Sequence, residues 1–199
     1  MLPVIPFTKT NLTDIYIIEE CFTPNELTKL FQDISKIPYE KAESSEELNI
    51  DFISPRKSQI KWIYQTPEWY WLYQKINYFI INANKNTWDF NLSYFIDNIQ
   101  YTEYSSTYQG HYDWHLDIGE DVASLRKISI TIQLSNPLEY EGGNLEFFTG
   151  GNYDKNITSF NKNTNTAILF PSYLLHRITP ITKGIRKSLV VWVGGTQFR

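Results

Sequence analysis

The chain is poor in several features that mark whole classes of protein. It contains one cysteine, Cys21, so no internal disulfide can form, and we expect a reducing compartment, the cytoplasm. Lysine and arginine number 18 against 22 aspartate and glutamate residues, which gives a net charge of −4. A nucleic-acid binder generally needs a basic surface, so we expect no nucleic-acid partner.

Membrane and targeting signals are also missing from the sequence. No uninterrupted apolar run approaches the roughly 20 residues that a transmembrane helix needs. The stretch 1–6 lacks a basic start and carries two prolines, unlike a signal peptide. We therefore expect no membrane contact.

What the chain does have is apolar and aromatic surface. Hydrophobic residues make up 42% of its 199 residues and aromatic residues 16%. That composition can fill a core, and aromatic side chains pack well on pleated sheets. At this length we expect one domain, residues 1–199, with helical support and lid elements in 1–97 and the main core in 98–195.

Two helices are predicted in the first half. Thr23 and Glu26 have the spacing of a capping box, with Pro24 at the first helical position and an apolar stripe to Ile34. A second helix is predicted to begin at residues 66–68 and to end near 84–86. Both helices are interpreted as packing supports for a sheet.

The connecting segments are predicted to lie at the surface. The acidic stretch 40–51 is interpreted as a solvated loop and a candidate lid, because such loops often carry specificity. Residues 54–58 are predicted to form a turn, and residues 60–63 a short strand. A strand is also predicted over residues 12–18.

Strands and turns dominate after residue 88. Residues 127–134 alternate strictly, with isoleucines and Leu134 on one face and Ser129, Thr131 and Gln133 on the other. About eight short strands follow residue 98. We predict an α+β fold that is mainly β: a double-stranded β-helix, or jelly roll, buttressed by the N-terminal helices.

Two of the three histidines lie in one predicted strand, residues 110–117. His115 and Asp117 are two residues apart, so they face the same side of the strand. Two histidines and a carboxylate form the facial triad that holds non-haem Fe(II), and we predict one metal site from His115, Asp117 and His176. His111 has the helical spacing of a zinc pair with His115, but its strand context makes it structural or substrate-facing.

Four motifs in order give the sequence its family likeness: Tyr112-x-x-His115-x-Asp117, Gly142-Gly143-x-Leu145-x-Phe147, Phe170-Pro171-Ser172, and His176-x-Ile178-x-Pro180-Ile181-Thr182-x-Gly184-x-Arg186. With Trp192 in the last strand, residues 98–195 resemble the Fe(II)- and 2-oxoglutarate-dependent dioxygenases. The likeness is to the prolyl 4-hydroxylase-like branch, the PKHD-type hydroxylases. Ile178 and Ile181 stand where that branch has valine.

The resemblance implies Fe(II), 2-oxoglutarate and O2 as cofactor and co-substrates, with ascorbate as a further candidate. Arg186 would pair with the distal carboxylate of 2-oxoglutarate, because a guanidinium fork suits a carboxylate. It would join the three metal ligands as a catalytic residue. Further candidates for the co-substrate pocket are Tyr104, Tyr112, Gln133 and Ser188.

The activity implied is hydroxylation of a C–H bond with release of succinate and CO2, on a prolyl residue of a protein or peptide. The acidic stretch 40–51 points to a basic or neutral peptide. A free amino acid, a small molecule or a lysyl residue are alternative substrates. A catalytically silent binding module and a zinc hydrolase are alternative functions, although a hydrolase has no use for Arg186. Asp117 argues against a halogenase, which replaces that carboxylate with a small residue.

Overall fold

The computed structural model describes residues 14–41, 56–149, 157–160 and 163–197. The α-helices there are α1 (Pro24–Ser35) and α2 (Tyr70–Thr87). A 3-10 turn at Pro67–Trp69 leads into α2, and two more lie at Ser106–Tyr108 and Asp121–Leu125. The strands, in chain order, are β1 (Tyr16–Ile18), β2 (Glu40–Lys41), β3 (Arg56–Lys57), β4 (Gln59–Ile63), β5 (Leu92–Phe95), β6 (Ile99–Ser105), β7 (His111–His115), β8 (Arg126–Gln133), β9 (Glu141–Gly142), β10 (Leu145–Phe148), β11 (Ile157–Ser159), β12 (Thr166–Pro171), β13 (His176–Ile178), β14 (Ile181–Lys183) and β15 (Ile185–Gly195).

These strands form two main antiparallel sheets. The larger sheet has the order β1-β12-β8-β15-β6-β4-β2, and β5 also pairs with β15. The smaller sheet has the order β11-β10-β13-β7-β3, and β14 pairs with β9 apart from both. Phe170 of the larger sheet packs against Phe147 of the smaller one, with ring centroids 4.8 Å apart. The predicted jelly roll, mainly β with helical buttresses, is confirmed.

Each central strand of the larger sheet alternates between two environments. One face packs against α1 and α2 in the main apolar core, to which β8 and β15 contribute Ile128, Ile130, Ile132, Leu189, Val191 and Val193. The other face looks toward the smaller sheet and holds Tyr104, Ile168 and Phe170. This alternation confirms the two faces that the sequence predicts for residues 127–134.

The helices form where the sequence places them. Thr23 accepts a hydrogen bond from the Glu26 backbone N–H at 3.3 Å, and the Glu26 carboxylate accepts from the Thr23 backbone N–H at 2.7 Å. This is the predicted capping box. Glu26 also pairs with Lys75 of α2 at 2.5 Å, which links the two helices. The second helix continues to Thr87, past the predicted end near 84–86.

The first half of the chain contributes more than helices. The predicted turn at 54–58 is wrong, because Arg56 and Lys57 form β3 and pair with β7 of the smaller sheet. The stretch predicted as a loop from residue 40 begins with β2, which pairs with β4. The rest of the candidate lid, residues 42–51, lies outside the described residues. Strands β1, β2, β4 and β5 extend the larger sheet, so both sheets draw on both halves of the chain.

Neither α1 nor α2, nor any other helix in the described ranges, is long and apolar enough to cross a membrane.

Candidate active site

Three potential metal ligands converge between two neighbouring strands of the smaller sheet. His115 on β7 and His176 on β13 are direct cross-strand partners. Asp117 follows β7 and reaches both imidazoles: its carboxylate oxygens lie 3.7 Å from Nε2 of His115 and 3.6 Å from Nε2 of His176. One ligand atom from each residue fits within 4.8 Å of the other two. The structure thus brings together the three residues predicted from the sequence.

Backbone carbonyls fix the orientation of both histidines. His115 Nδ1 lies 2.7 Å from the carbonyl oxygen of Asp113, and His176 Nδ1 lies 2.8 Å from that of Leu174. A carbonyl oxygen can only accept, so Nδ1 carries the proton in each ring. Nε2 is then left with its lone pair directed toward Asp117, which is the form that binds a metal.

The backbone and side chain of Asp117 are both held in place. Its backbone N–H donates to the carbonyl of Ser172 at 3.0 Å, and its own carbonyl accepts from Arg126 at 3.0 Å. The Ser129 hydroxyl donates to the carboxylate of Asp117, and its oxygen lies 2.9 Å from the hydroxyl oxygen of Ser172. Ser129 lies on the polar face of β8 that the sequence predicts, although it was not among the predicted site residues.

The protonation states of His115 and Asp117 suit a divalent metal. Burial, reinforced by His176, lowers the pKa of His115 to about 3, so this imidazole is neutral at pH 7. Burial alone would raise the pKa of Asp117, but the two facing histidines and the hydrogen bond from Ser129 hold it below its usual value. A neutral imidazole and an ionised carboxylate need lose no proton to bind a metal. Two nitrogens and one oxygen therefore fit Fe(II) as a donor set.

A buried cation lies in the same cavity. Arg186 on β15 is 2% exposed, and its Nη1 donates to the Ser188 hydroxyl at 3.2 Å. The Tyr104 ring centroid lies 5.7 Å from the guanidinium carbon. Burial lowers the pKa of Arg186, although an arginine in a protein stays charged. Within the described ranges no carboxylate pairs with it, so the arrangement fits a carboxylate ligand that the chain does not supply.

Tyr140 is a neighbour of Arg186 that sequence reasoning missed. Its hydroxyl accepts a hydrogen bond from Gln133 at 2.9 Å and is also hydrogen-bonded to Arg186. A Cβ on Gly143 would lie 3.0 Å from Arg186 Cδ and 3.3 Å from the Tyr140 ring, so this glycine lets both side chains approach. The predicted glycine pair was the only nearby signal, and it does not identify a tyrosine three residues earlier.

Gln133 requires a correction. It was predicted to line the co-substrate pocket, but it is not among the residues that line the cavity. It pairs with Ser188 across the sheet and donates to Tyr140, which is hydrogen-bonded to Arg186. Tyr104, Tyr112 and Ser188 do line the cavity.

Of the neighbouring residues Tyr112 and His111 on β7, Tyr112 contacts the metal-ligand cluster and His111 lies outside it. The Tyr112 ring stacks on His115 with centroids 3.5 Å apart, and burial raises the pKa of Tyr112 to about 12, so its hydroxyl stays protonated. His111 stands apart from the three-residue cluster, and its Nδ1 lies 2.7 Å from the carbonyl of Gln109. A zinc pair of His111 with His115, which the spacing alone would allow, gains no support from this position.

The cavity around the triad continues outward into a cleft of about 400 Å³. A volume of this order holds a small molecule or a side chain with its neighbours. Residues common to the cavity and the cleft are Arg56, Gln100, Tyr112, Asp117 and Trp192. Arg56 was also missed, because its segment was predicted to be a turn.

Fold and site together define a jelly-roll protein with a two-histidine, one-carboxylate cluster beside a buried arginine. The sequence model described as the 2OG-Fe(II) oxygenase superfamily matches residues 99–194. The chain belongs to this superfamily, and its relatives in sequence are of the PKHD type.

Two curated relatives illustrate the extent of the likeness. A PKHD-type hydroxylase of Colwellia psychrerythraea is 37% identical over 92 residues, which cover 44% of this chain and 39% of the relative. One of Xylella fastidiosa is 30% identical over 159 residues, covering 71% of this chain and 64% of the relative. The match to the first thus spans about two fifths of that relative's length.

A solved structure shares the fold over most of the chain. It is a prolyl hydroxylase from Trichoplax adhaerens in complex with a hypoxia inducible factor peptide fragment. The TM-score is 0.71 at 16% identity, and the alignment covers 93% of this chain and 85% of that one.

Proposed function

We propose that the protein is an Fe(II)- and 2-oxoglutarate-dependent hydroxylase, with residues 1–199 acting as a single dioxygenase domain. The observation that carries the proposal is that one cavity is lined by the three potential metal ligands, His115, Asp117 and His176, and also by Arg186. Among the described residues, no carboxylate pairs with this arginine. A zinc hydrolase would need the three metal ligands but would have no use for Arg186. The overall reaction inserts one oxygen atom of O2 into a substrate C–H bond, and the other leaves in succinate as 2-oxoglutarate loses CO2.

Each group of residues has a separate task in this proposal. His115, Asp117 and His176 hold the iron, which supplies the activation of O2 when it is bound. Arg186, with Ser188 and Tyr104 around it, binds the distal carboxylate of 2-oxoglutarate. Phe147 and Phe170 pack around His176, with ring centroids 5.8 and 4.7 Å from its imidazole, and keep water away from that ligand.

The substrate proposed is a prolyl residue in a peptide or protein. Support comes from the PKHD-type relatives and from the peptide held by the Trichoplax enzyme, whose fold this chain shares. The outer cleft has the aromatic walls Trp62, Tyr112 and Trp192, which suit a ring of that size. A cytoplasmic location and a requirement for ascorbate stay predictions.

The test is turnover by the full chain with Fe(II), 2-oxoglutarate and O2. Succinate release is measured against a library of proline-containing peptides, and products are screened by mass spectrometry for a gain of one oxygen. We expect His115→Ala and Asp117→Ala to lower turnover by more than about 100-fold, since loss of even an outer partner of a metal ligand costs about 10- to 100-fold.

His111→Ala is the matched control, because it removes a histidine of the same strand that stands outside the cluster. It should keep both turnover and Fe(II)-dependent binding of 2-oxoglutarate in calorimetry. Equal turnover by the His115 and His111 variants, or no binding of 2-oxoglutarate by the wild-type protein with Fe(II), would refute the proposal.

A further inference from the structure

A second guanidinium lines the same cavity as Arg186 and, unlike Arg186, also lines the outer cleft. It belongs to Arg56 on β3. Its guanidinium carbon lies 5.1 Å from the centroid of Tyr112, which in turn stacks on the predicted iron ligand His115. Arg56 is therefore two stacking contacts from the metal site, at the point where the inner cavity opens into the outer cleft.

The hydrogen bonds of Arg56 leave its charge uncompensated within the described residues. Nε donates to the Ser58 hydroxyl at 2.8 Å, and Nη2 donates to the side-chain oxygen of Gln100 at 2.7 Å. Both acceptors are neutral. Gln100 is itself held by a hydrogen bond from Thr102 at 3.1 Å, so the orientation of Arg56 is fixed before any ligand arrives.

The other arginine of the cleft has a carboxylate partner. Arg126 pairs with Asp97, donates to the carbonyl of Asp117, and lies over the Trp192 ring at 4.3 Å. Glu40 also lines the cleft, but in the described ranges no ion pair joins it to Arg56. Of the two arginines Arg56 and Arg126, only Arg56 has no carboxylate partner among the described residues and can pair with an anionic ligand in the cleft.

The co-substrate does not account for Arg56. In the proposed function, one end of 2-oxoglutarate binds the metal and the other binds Arg186 deep in the cavity. Neither carboxylate is left for a cation at the outer opening. The group that enters through the cleft is the one to be oxidised.

We propose that Arg56 is a specificity-determining residue that binds a carboxylate of the primary substrate, close to the C–H bond that is oxidised. This inference rests on the proposed function and narrows its substrate class to anions. It differs from the basic or neutral peptide expected from the acidic stretch 40–51. The carboxylate comes either from an acidic side chain beside the oxidised residue of a peptide or from the free carboxylate of a small acid.

The experiment uses the full chain with Fe(II) and 2-oxoglutarate and two sets of probes. The first set is end-blocked pentapeptides with a central proline flanked by Asp, Asn or Lys. The second is N-acetylproline and its amide. For each probe, kcat/KM is measured from succinate release and from the gain of one oxygen, and anaerobic calorimetry measures binding.

We expect an acid to be preferred over its neutral partner by about 10- to 100-fold, the range for hydrogen bonds to a charged group. The set that shows the preference identifies the source of the carboxylate. Arg56→Gln should remove the preference, and Arg56→Glu should shift it toward the Lys peptide. Lys57→Gln is the matched control, since it removes one positive charge from the opposite face of β3 and should leave the preference intact.

The outcomes separate this inference from the proposed function. If the wild-type protein binds no 2-oxoglutarate in the presence of Fe(II), the proposed function fails. If it binds 2-oxoglutarate but neither turnover nor binding distinguishes acid from neutral probes, the role of Arg56 is overturned. The role is also overturned if Arg56→Gln, with the wild-type melting temperature, keeps the preference.

Discussion

The two faces of the larger sheet are made by the same strands and have opposite compositions. Toward the helices, β8 and β15 present Ile132, Leu189 and Val191, all fully buried in an apolar core. Toward the smaller sheet, β15 presents Arg186 and Ser188, equally buried but polar. In a strand adjacent residues point to opposite faces, so a single residue step separates the core that supplies stability from the cavity that holds polar groups.

The difference shows where the structure tolerates polar groups. On the helix face, apolar burial stabilises the fold and needs no ligand. On the cavity face, a buried guanidinium costs free energy unless it is paired. We therefore expect substitutions on the two faces to separate stability from binding, and three variants test the separation.

Leu189→Ala tests the helix face and has the largest expected effect. Leu189 is fully buried between β8 and β6, so its truncation leaves a cavity in the core. We expect the free energy of unfolding to fall by about 2–5 kcal/mol, measured by urea denaturation, with 2-oxoglutarate affinity unchanged in the folded fraction. Leu189→Met keeps the volume and should cost less than about 1.5 kcal/mol. A large loss of affinity in Leu189→Ala would contradict the separation.

Arg186→Gln tests the cavity face, three residues earlier in the same strand. Loss of the charged fork should weaken 2-oxoglutarate binding by about 10- to 100-fold, measured by calorimetry with Fe(II). Arg186→Lys keeps the charge but not the planar guanidinium, so its affinity for 2-oxoglutarate should lie between those of the wild type and Arg186→Gln. Lys183→Gln controls for net charge, because Lys183 is exposed and pairs only with Glu141 in the described ranges. Equal affinities in all four proteins would mean that Arg186 is not the carboxylate site.

Tyr140→Phe has the smallest expected effect and refines the cavity face. It removes the hydroxyl that joins Gln133 to Arg186, while the ring stays. We expect the KM for 2-oxoglutarate to rise about 2- to 10-fold with kcat at saturation nearly unchanged, because Arg186 keeps its charge and its hydrogen bond to Ser188 and loses one positioning contact. Tyr70→Phe, at an exposed position on α2, is the control. A fall in kcat with unchanged KM would show that Tyr140 does something other than position Arg186.

Local patterns in the sequence predicted the parts of the molecule that local physics determines. The capping box at Thr23 and Glu26 needs only neighbouring residues, and the alternation from Ile128 to Gln133 needs only a strand with two different faces. The spacing of His115 and Asp117 likewise follows from strand geometry. His176 is predicted as the third ligand because it is the only histidine outside that strand, and the resemblance of its C-terminal context to a known family supports the choice.

The missed residues depend on contacts between distant parts of the chain. Arg56 reaches the cavity because β3 pairs with β7, more than 50 residues later, and a two-residue strand beside Ser-Pro has the local sequence of a turn. Tyr140 reaches Arg186 from a loop, where no periodicity indicates the direction of a side chain. Its contact with Arg186 depends on the pairing of β9 with β14, which places the glycine pair against Arg186 of β15.

The position of β15 has a consequence for how the chain is made. It lies between β8 and β6, both of which precede it by more than 50 residues, and Leu189 pairs with Ile132 on one side and Tyr101 on the other. Until residues 185–195 have been synthesised, β6 and β8 have no strand between them, and each carries unpaired backbone groups. Such edges recruit strands from other molecules. A nascent chain is therefore most exposed to aggregation just before the strand that carries Arg186 is added.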